Sequence, residues 1–492
     1  MRRRVRHWVR ATALSTVALV CLSGCASALS GEPSAENAAN ATLNVVGVDK
    51  SSSFDQTVQN ALSDVEAFWK TAYPTISGGK PLEPLKGGLY SVDGLQVAKT
   101  GEVSGPAGKE GCIAESPSFI IDNGAFCLVD DSIAWDRAET HLFAKLAKQY
   151  GTLMVALIFA HEFGHAISYR LGVFDRTPKL QTIYTESQAD CAAGAWAASA
   201  LKHQAAHFVD TTPEKLDDAL EGFLDGRDST PGTINEVSHG NGFDRLSALA
   251  DGLKNGVKYC YSDSYFNRTF TERPFSSQDD YDAGGNQPLA DVVDPSGLEV
   301  RDLNRFWTAA GKLISKTFKP VTLKKADHPK CGGTPTSEFG YCPTDNTVYY
   351  SASFAKAAYN SLPGVQFDQD TGDVILVFNQ PADFALGELI SIGWGLAVRH
   401  QFFGADMDGT KALKAAVCYT GAYAKDVNLA QTDPAAKSKI LLLSPADLDE
   451  AVSALLDLAG QDRAFGARGT TGLDRIQAFN QGYKQSLSSC NY

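Results

Sequence analysis

Between Thr152 and Gly172 the chain reads TLMVALIFAHEFGHAISYRLG. Leu153, Leu157, Ile158, Ala160, Phe163 and Ile167 are apolar and nothing breaks the run before Gly172, so the pattern predicts a buried helix closed by a glycine. Polar side chains interrupt it at His161, Glu162 and His165. On a helix the two histidines stand one turn apart on one face, with Glu162 one residue round. A second helix is predicted over YTESQADCAAGAWAASALKHQ, residues 184–204. It buries an Ala-rich face and begins with two carboxylates, Glu186 and Asp190, again four residues apart. Upstream, the alternating run AFCLVDDSIAWD, residues 125–136, reads as one β-strand. Helices that carry polar clusters, preceded by short strands, predict an α+β, helix-rich fold.

The patterning repeats along the chain. DVEAFWKTAY (64–73) matches DLNRFWTAAG (302–311), and FCLVDDSIAWD (126–136) matches YCPTDNTVYYS (341–351). CAAGAW (191–196) matches CYTGAY (418–423), and GFDRLSALADGLKNGVKYC (242–260) matches GLDRIQAFNQGYKQSLSSC (472–490). Four matches in the same order predict two homologous domains, 46–265 and 290–492. The linker between them, 266–289, is polar and turn-rich. If each domain folds as a unit, its disulfides stay inside it and repeat. That leaves three of the 105 pairings that eight cysteines allow, and because Cys112–Cys127 and Cys331–Cys342 each close a short loop before a strand, Cys191–Cys260 and Cys418–Cys490 remain.

The polar positions on the two helices have metal-ligand spacing. His161 and His165 can take adjacent corners of a tetrahedron, and Glu186 can supply a third ligand. Glu162 is too offset to ligate but stands where a general base would. Asp190, one turn beyond Glu186, can accept the N–H of a ligating histidine and fix its tautomer. Three protein ligands and one open position are the mark of a catalytic zinc, one per chain. In the second domain, matching Gly395 to Gly164 puts Ile392, Gly393 and Leu396 where His161, Glu162 and His165 stand. Matching Gly404 to Gly172 instead gives Gly393, Trp394 and Ala397. With Cys418 on Cys191, Leu413 and Val417 replace Glu186 and Asp190. Every choice removes the ligands, so the second domain is a degenerate copy, left with packing, shaping the cleft or binding an envelope protein partner. His400 is a surface or packing histidine.

HExxH followed by ExxxD resembles the gluzincin type of metallopeptidase. More specifically, AHEFGHAIS, ESQADCAAGAW and SHGNGFDRLSALADGLKNG are similar to the HExGH, E-x-QADC-x-AG and HG…R…G segments of a bacterial neutral zinc metallopeptidase family, over roughly residues 112–260. The resemblance implies a zincin-like fold and hydrolysis of peptide bonds, with Glu162 as base. It departs at AIS after His165, where the family often has His-Val-Gln, a change that touches no ligand. It also makes His239 a site residue, donating to a developing oxyanion or supporting the metal ligands; the other reading of His239 is a loop residue capping the following helix. In zincin-like enzymes an edge strand ahead of the metal helix aligns extended peptide by backbone pairing. The strand over 125–136 takes that place here, or is simply interior.

The N-terminus changes the setting. MRRRVRHWVR is a basic segment, ATALSTVALVCL a short apolar one, and LSGC resembles a lipobox, in which Cys25 is lipidated after removal of residues 1–24. The alternatives are a plain secretory signal or a short membrane anchor. Residues 25–45 are small and polar, as a tether should be. The expected protein is therefore exported and held at the membrane by a lipid on Cys25, where disulfides persist. Formal net charge is −13, and −18 without the five leader arginines, which argues against nucleic acid as a partner. Two further readings stand beside a peptidase acting on peptide or protein. One is a binding or scaffold lipoprotein with little activity. The other is a zinc amidase acting on a peptide-containing wall polymer.

Overall fold

The computed structural model describes residues 38–490 apart from 104, 177–181, 228–238, 272–273, 276, 368–373, 433–440, 442 and 459–468. The leader, Cys25 and the tether up to residue 37 lie outside the described residues. Residues 37–492 form one compact unit. It is α+β and helix-rich, as the patterning predicts. Among the described residues no helix is long and apolar enough to cross a membrane.

The first half opens with β1 (Val45–Val46), α1 (Ser53–Ala72), β2 (Gly88–Val92), β3 (Gly124–Cys127) and β4 (Ser132–Asp136). The strands form one sheet in the order β1-β2-β4-β3, parallel except for the antiparallel β3–β4 pair, so β3 is an edge. The single strand expected over 125–136 is in fact this hairpin. Its turn contains Leu128 and Val129, which are 45% and 61% exposed and made the alternation look continuous. Asp131 closes the turn with a left-handed φ of 59°, and its carboxylate accepts from the Lys86 amide at 3.1 Å and pairs with Arg170 at 2.9 Å.

The longer helices that follow are α2 (Leu142–Tyr150), α3 (Thr152–Arg170), α4 (Thr182–Ala200), α5 (Pro213–Leu224) and α6 (Gly242–Asn255). α3 is the central one. Met154, Val155, Leu157, Phe159 and Ala160 on it are fully buried, each large side chain contributing roughly 1.5–3 kcal/mol. α4 crosses α3 at Gly164, where a Cβ would lie only 3.0 Å from Ala189 Cα and Ala192 Cβ. α4 and α6 approach still more closely. A Cβ on Gly194 would sit 1.9 Å from the Leu249 carbonyl oxygen, and one on Gly252 1.8 Å from that of Cys191.

The second half contains α7 (Leu298–Leu313), β5 (Thr322–Lys325), β6 (Phe339–Cys342), β7 (Thr347–Tyr350), α8 (Asp383–Phe403), α9 (Gly409–Thr432), α10 (Asp447–Asp457) and α11 (Gly472–Gln485). Its sheet has the order β5-β7-β6, with β5 parallel and β6 antiparallel to β7. Strands Leu362–Phe367 and Val374–Gln380 pair as a separate antiparallel ribbon. The two halves share a continuous apolar core, joined where Phe243 meets Phe479 and Tyr483.

All four expected disulfides are present: Cys112–Cys127, Cys191–Cys260, Cys331–Cys342 and Cys418–Cys490. The second and fourth close loops 69 and 72 residues long. On the chain-entropy view a loop of that size stabilises the fold by about 4 kcal/mol. Each also pins the middle of a long helix to the end of the half that contains it.

Candidate metal centre

α3 delivers His161 and His165 to one face, and α4 delivers Glu186 opposite them. His161 Nε2 and His165 Nε2 are 3.1 Å apart, and Glu186 Oε2 lies 3.1 Å from the first and 3.3 Å from the second. Three ligands held about 2.0–2.1 Å from a tetrahedral ion are spaced by about 3.3 Å along each edge. The three atoms therefore already have the spacing that such an ion requires. Among the described residues three other groups bring possible ligand atoms within 4.8 Å of one another. Of these, Glu110–Cys112–Cys127 is excluded because its sulfurs form a disulfide. In Asp122–Asp136–His141 the carboxylates accept from the amides of Leu142, Gly94, Ala138 and Asp122. Asp383–Asp447–Glu450 is all oxygen and almost fully buried.

The surroundings of His161 fix its orientation. Its Nδ1 lies 2.6 Å from Asp190 Oδ1, and Asp190, fully buried, is also gripped by Arg245, with Nε and Nη2 both at 3.1 Å. The Arg245 guanidinium stacks 4.4 Å above the Phe223 ring and donates a further bond to the Gly226 carbonyl. Asp190 thus holds the Nδ1 proton and directs Nε2 toward Glu186 and His165. Burial alone would lower the pKa of His161, but the charge and hydrogen bond of Asp190, helped by Glu186 and Glu162, push it up to about 10. Burial works to raise Glu186, yet His165 and His161 hold its carboxyl well below the usual range. Asp190 is likewise held low against its burial, by Arg245 first and His161 next. The site is a closed network of imidazolium and carboxylates.

Glu162 points away from this network toward the sheet. Its Oε2 accepts from the Phe126 amide of β3 at 2.8 Å, and its Oε1 lies 3.9 Å from His161 Nε2. Both face a cleft of about 490 Å³ lined by Gly124, Ala125 and Phe126 of the edge strand and by His161, His165 and Glu186. His239 lines the same cleft, from just before α6, and is exposed.

Every ligand and base position read from the sequence thus meets in one place. Two participants were not singled out there: the backbone N–H of Phe126, which has no side-chain signature, and Arg245. The signal for Arg245 was the GFDRL and GLDRI pair, in which the arginine recurs in both halves. In the second half, Ile392, Leu396, Leu413 and Val417 are buried and apolar, and His400 is exposed beside Tyr341. No protein-family model, no curated protein and no solved structure matches the chain.

Proposed function

We propose that the chain is an exported, lipid-anchored zinc metallopeptidase with one active site, in its first half. The observation that carries this reading is the convergence of His161 Nε2, His165 Nε2 and Glu186 Oε2 on one point of a cleft that Glu162 also faces. Two imidazoles and one carboxylate are a donor set suited to zinc. When bound, zinc supplies Lewis acidity, polarising a carbonyl and lowering the pKa of water. The remaining work falls to the chain's own residues. His161, His165 and Glu186 hold the ion, and Asp190 keeps the His161 ring in position. β3, an edge strand whose Phe126 N–H is held by Glu162, lines the cleft where an extended peptide can lie, which aligns the scissile bond over Glu162. Glu162 takes a proton from the attacking water and returns it to the departing amine. His239, on the rim of the cleft, donates to the oxygen on which negative charge grows.

The second half supports a reading as a duplicated domain without chemistry. Its sheet repeats the β2-β4-β3 arrangement, with Cys342 paired to Thr347 as Cys127 is to Ser132. Gly395 packs on Ala416 as Gly164 packs on Ala189, and Gly421 and Gly482 meet Phe479 and Cys418 as Gly194 and Gly252 meet Leu249 and Cys191. These contacts favour setting Gly395 on Gly164, which puts Ile392 and Leu396 at the histidine positions.

The test is hydrolysis of unfolded protein, short peptides and wall fragments by the full chain, beside Glu162→Gln. Cleavage of any of these amides that falls at least a hundredfold in the variant, with metal content unchanged, supports the enzyme and names its substrate class. Equal, negligible turnover by both would favour a binding or scaffold lipoprotein.

A further inference from the structure

One carboxylate of the second half lies against the residues that support Arg245. Asp449, in the first turn of α10, is 3% exposed. Its Oδ1 accepts from the Phe243 amide in the first turn of α6 at 2.8 Å, and its Oδ2 lies 3.5 Å from Arg227 Nε. These two partners flank the two supports of Arg245. Phe243 is two residues before Arg245 on α6, and Arg227 adjoins Gly226, whose carbonyl takes the Arg245 Nη1 bond. From Arg245 the contacts continue to Asp190 and then to His161 Nδ1.

We infer that Asp449 is a positioning residue for the metal centre, acting from the second half through Arg245 and Asp190. This inference rests on the reading of His161, His165 and Glu186 as metal ligands. Asp190 and Arg245 are a buried pair. Such a pair stabilises only in good geometry, and a misplaced guanidinium leaves the carboxylate without compensation. The Arg245 backbone is set by the start of α6, and its fork by the turn at Gly226. Asp449 contacts both, alongside the Asn241 side chain that caps α6 and the Leu224 and Pro363 carbonyls that also accept from Arg227, so a side chain about 290 residues from His161 in sequence bears on the orientation of its ring.

The molecule contains its own control. Asp217 on α5 reaches the other way, accepting from the amides of Gly472 and Leu473 at the start of α11. Relative to their arginines the two caps occupy the same places, Phe243 before Arg245 and Leu473 before Arg475. Arg475, however, donates to the carbonyls of Leu455 at 2.6 Å, Thr470 at 2.9 Å and Leu456 at 3.1 Å, and Val417 stands where a carboxylate would be needed. The same cross-half cap therefore leads through its arginine to the buried carboxylate Asp190 on one side, and through its arginine to backbone carbonyls only on the other.

The experiment compares Asp449→Ala with Asp217→Ala in the full chain. Two readouts are used: amide hydrogen exchange of the metal-free protein over residues 186–196, and zinc affinity by chelator competition. Both variants are expected to melt at lower temperature than the parent. Only Asp449→Ala is expected to speed exchange around Asp190 and to weaken zinc, by about tenfold, the lower end for an outer partner of a ligand. Equal effects of the two variants on the site, or none from Asp449→Ala, would overturn the inference. If either alanine variant does not fold, Asp449→Asn and Asp217→Asn make the same comparison. If the parent takes up no zinc, the metal reading fails by itself, and the exchange measurement still decides whether Asp449 positions Asp190.

Discussion

At the scale of single residues the site is governed by who holds whose proton. His161 is pushed up to about 10 by Asp190 and Glu186, so at neutral pH the metal-free ring is an imidazolium. A metal ion held by His161 would require the Nε2 lone pair, so on the proposed reading its uptake expels that proton while Asp190 keeps the one on Nδ1. A histidine raised in this way stays protonated up to about pH 10, so the proton competes less with a metal as pH rises and metal affinity is expected to rise with pH across the neutral range. Calorimetry of zinc uptake in two buffers of different ionisation enthalpy should report release of about one proton near pH 7. No proton release would mean that the ring is neutral before metal arrives.

The residue scale is also where the sequence was most legible. His161, Glu162, His165, Glu186 and Asp190 were readable because helical spacing of four puts side chains on one face, a relation local enough to see along the chain. The Phe126 amide was not, because a backbone donor leaves no trace in residue type. Arg245 was half-visible, as a recurring residue without a partner, since its partner lies 55 positions upstream.

Elements were legible where their neighbours did not matter. α3 and α4 appear in the sequence because an all-apolar run and an Ala-rich run each demand burial. The β3–β4 hairpin was misread because Leu128 and Val129 put apolar side chains at an exposed turn. What no periodicity announces is how close two helices come. Gly194 and Gly252 let α4 and α6 touch backbone to side, with no room for a methyl group. Gly252→Ala is therefore expected to destabilise the fold by about 3 kcal/mol, the crowding outweighing the gain in helix propensity. Because α4 carries Glu186 and Asp190, the same variant should also lose metal affinity. Urea unfolding measures the first and chelator competition the second. An unchanged midpoint would mean that the helices separate freely.

For the whole molecule, the repeat in the sequence announced two halves but not how they join. They meet through α5, α6, α10 and α11, with carboxylates gathered along the seam. Glu221 on α5 is raised to about 7, by burial first and then by Asp457 of α10 and its own neighbours Asp218, Asp217 and Asp225. A carboxyl whose folded pKa lies above its unfolded value binds a proton more tightly when folded. Its contribution is present at low pH and is lost as pH rises from about 4.5 to about 7. Glu221→Gln should therefore be more stable than the parent at pH 8, by about 3 kcal/mol, and equal to it near pH 4. Denaturant unfolding at the two pH values checks this, and a difference that does not vary with pH would contradict it.

The central claim is one metal site in a chain of two similar halves, and the zinc content of the purified full chain, prepared without chelator, tests it most directly. The expected result is one tightly held zinc per chain, absent from His161→Ala. Near zero in the parent would contradict the enzyme reading, and near two would show that the second half holds a metal of its own.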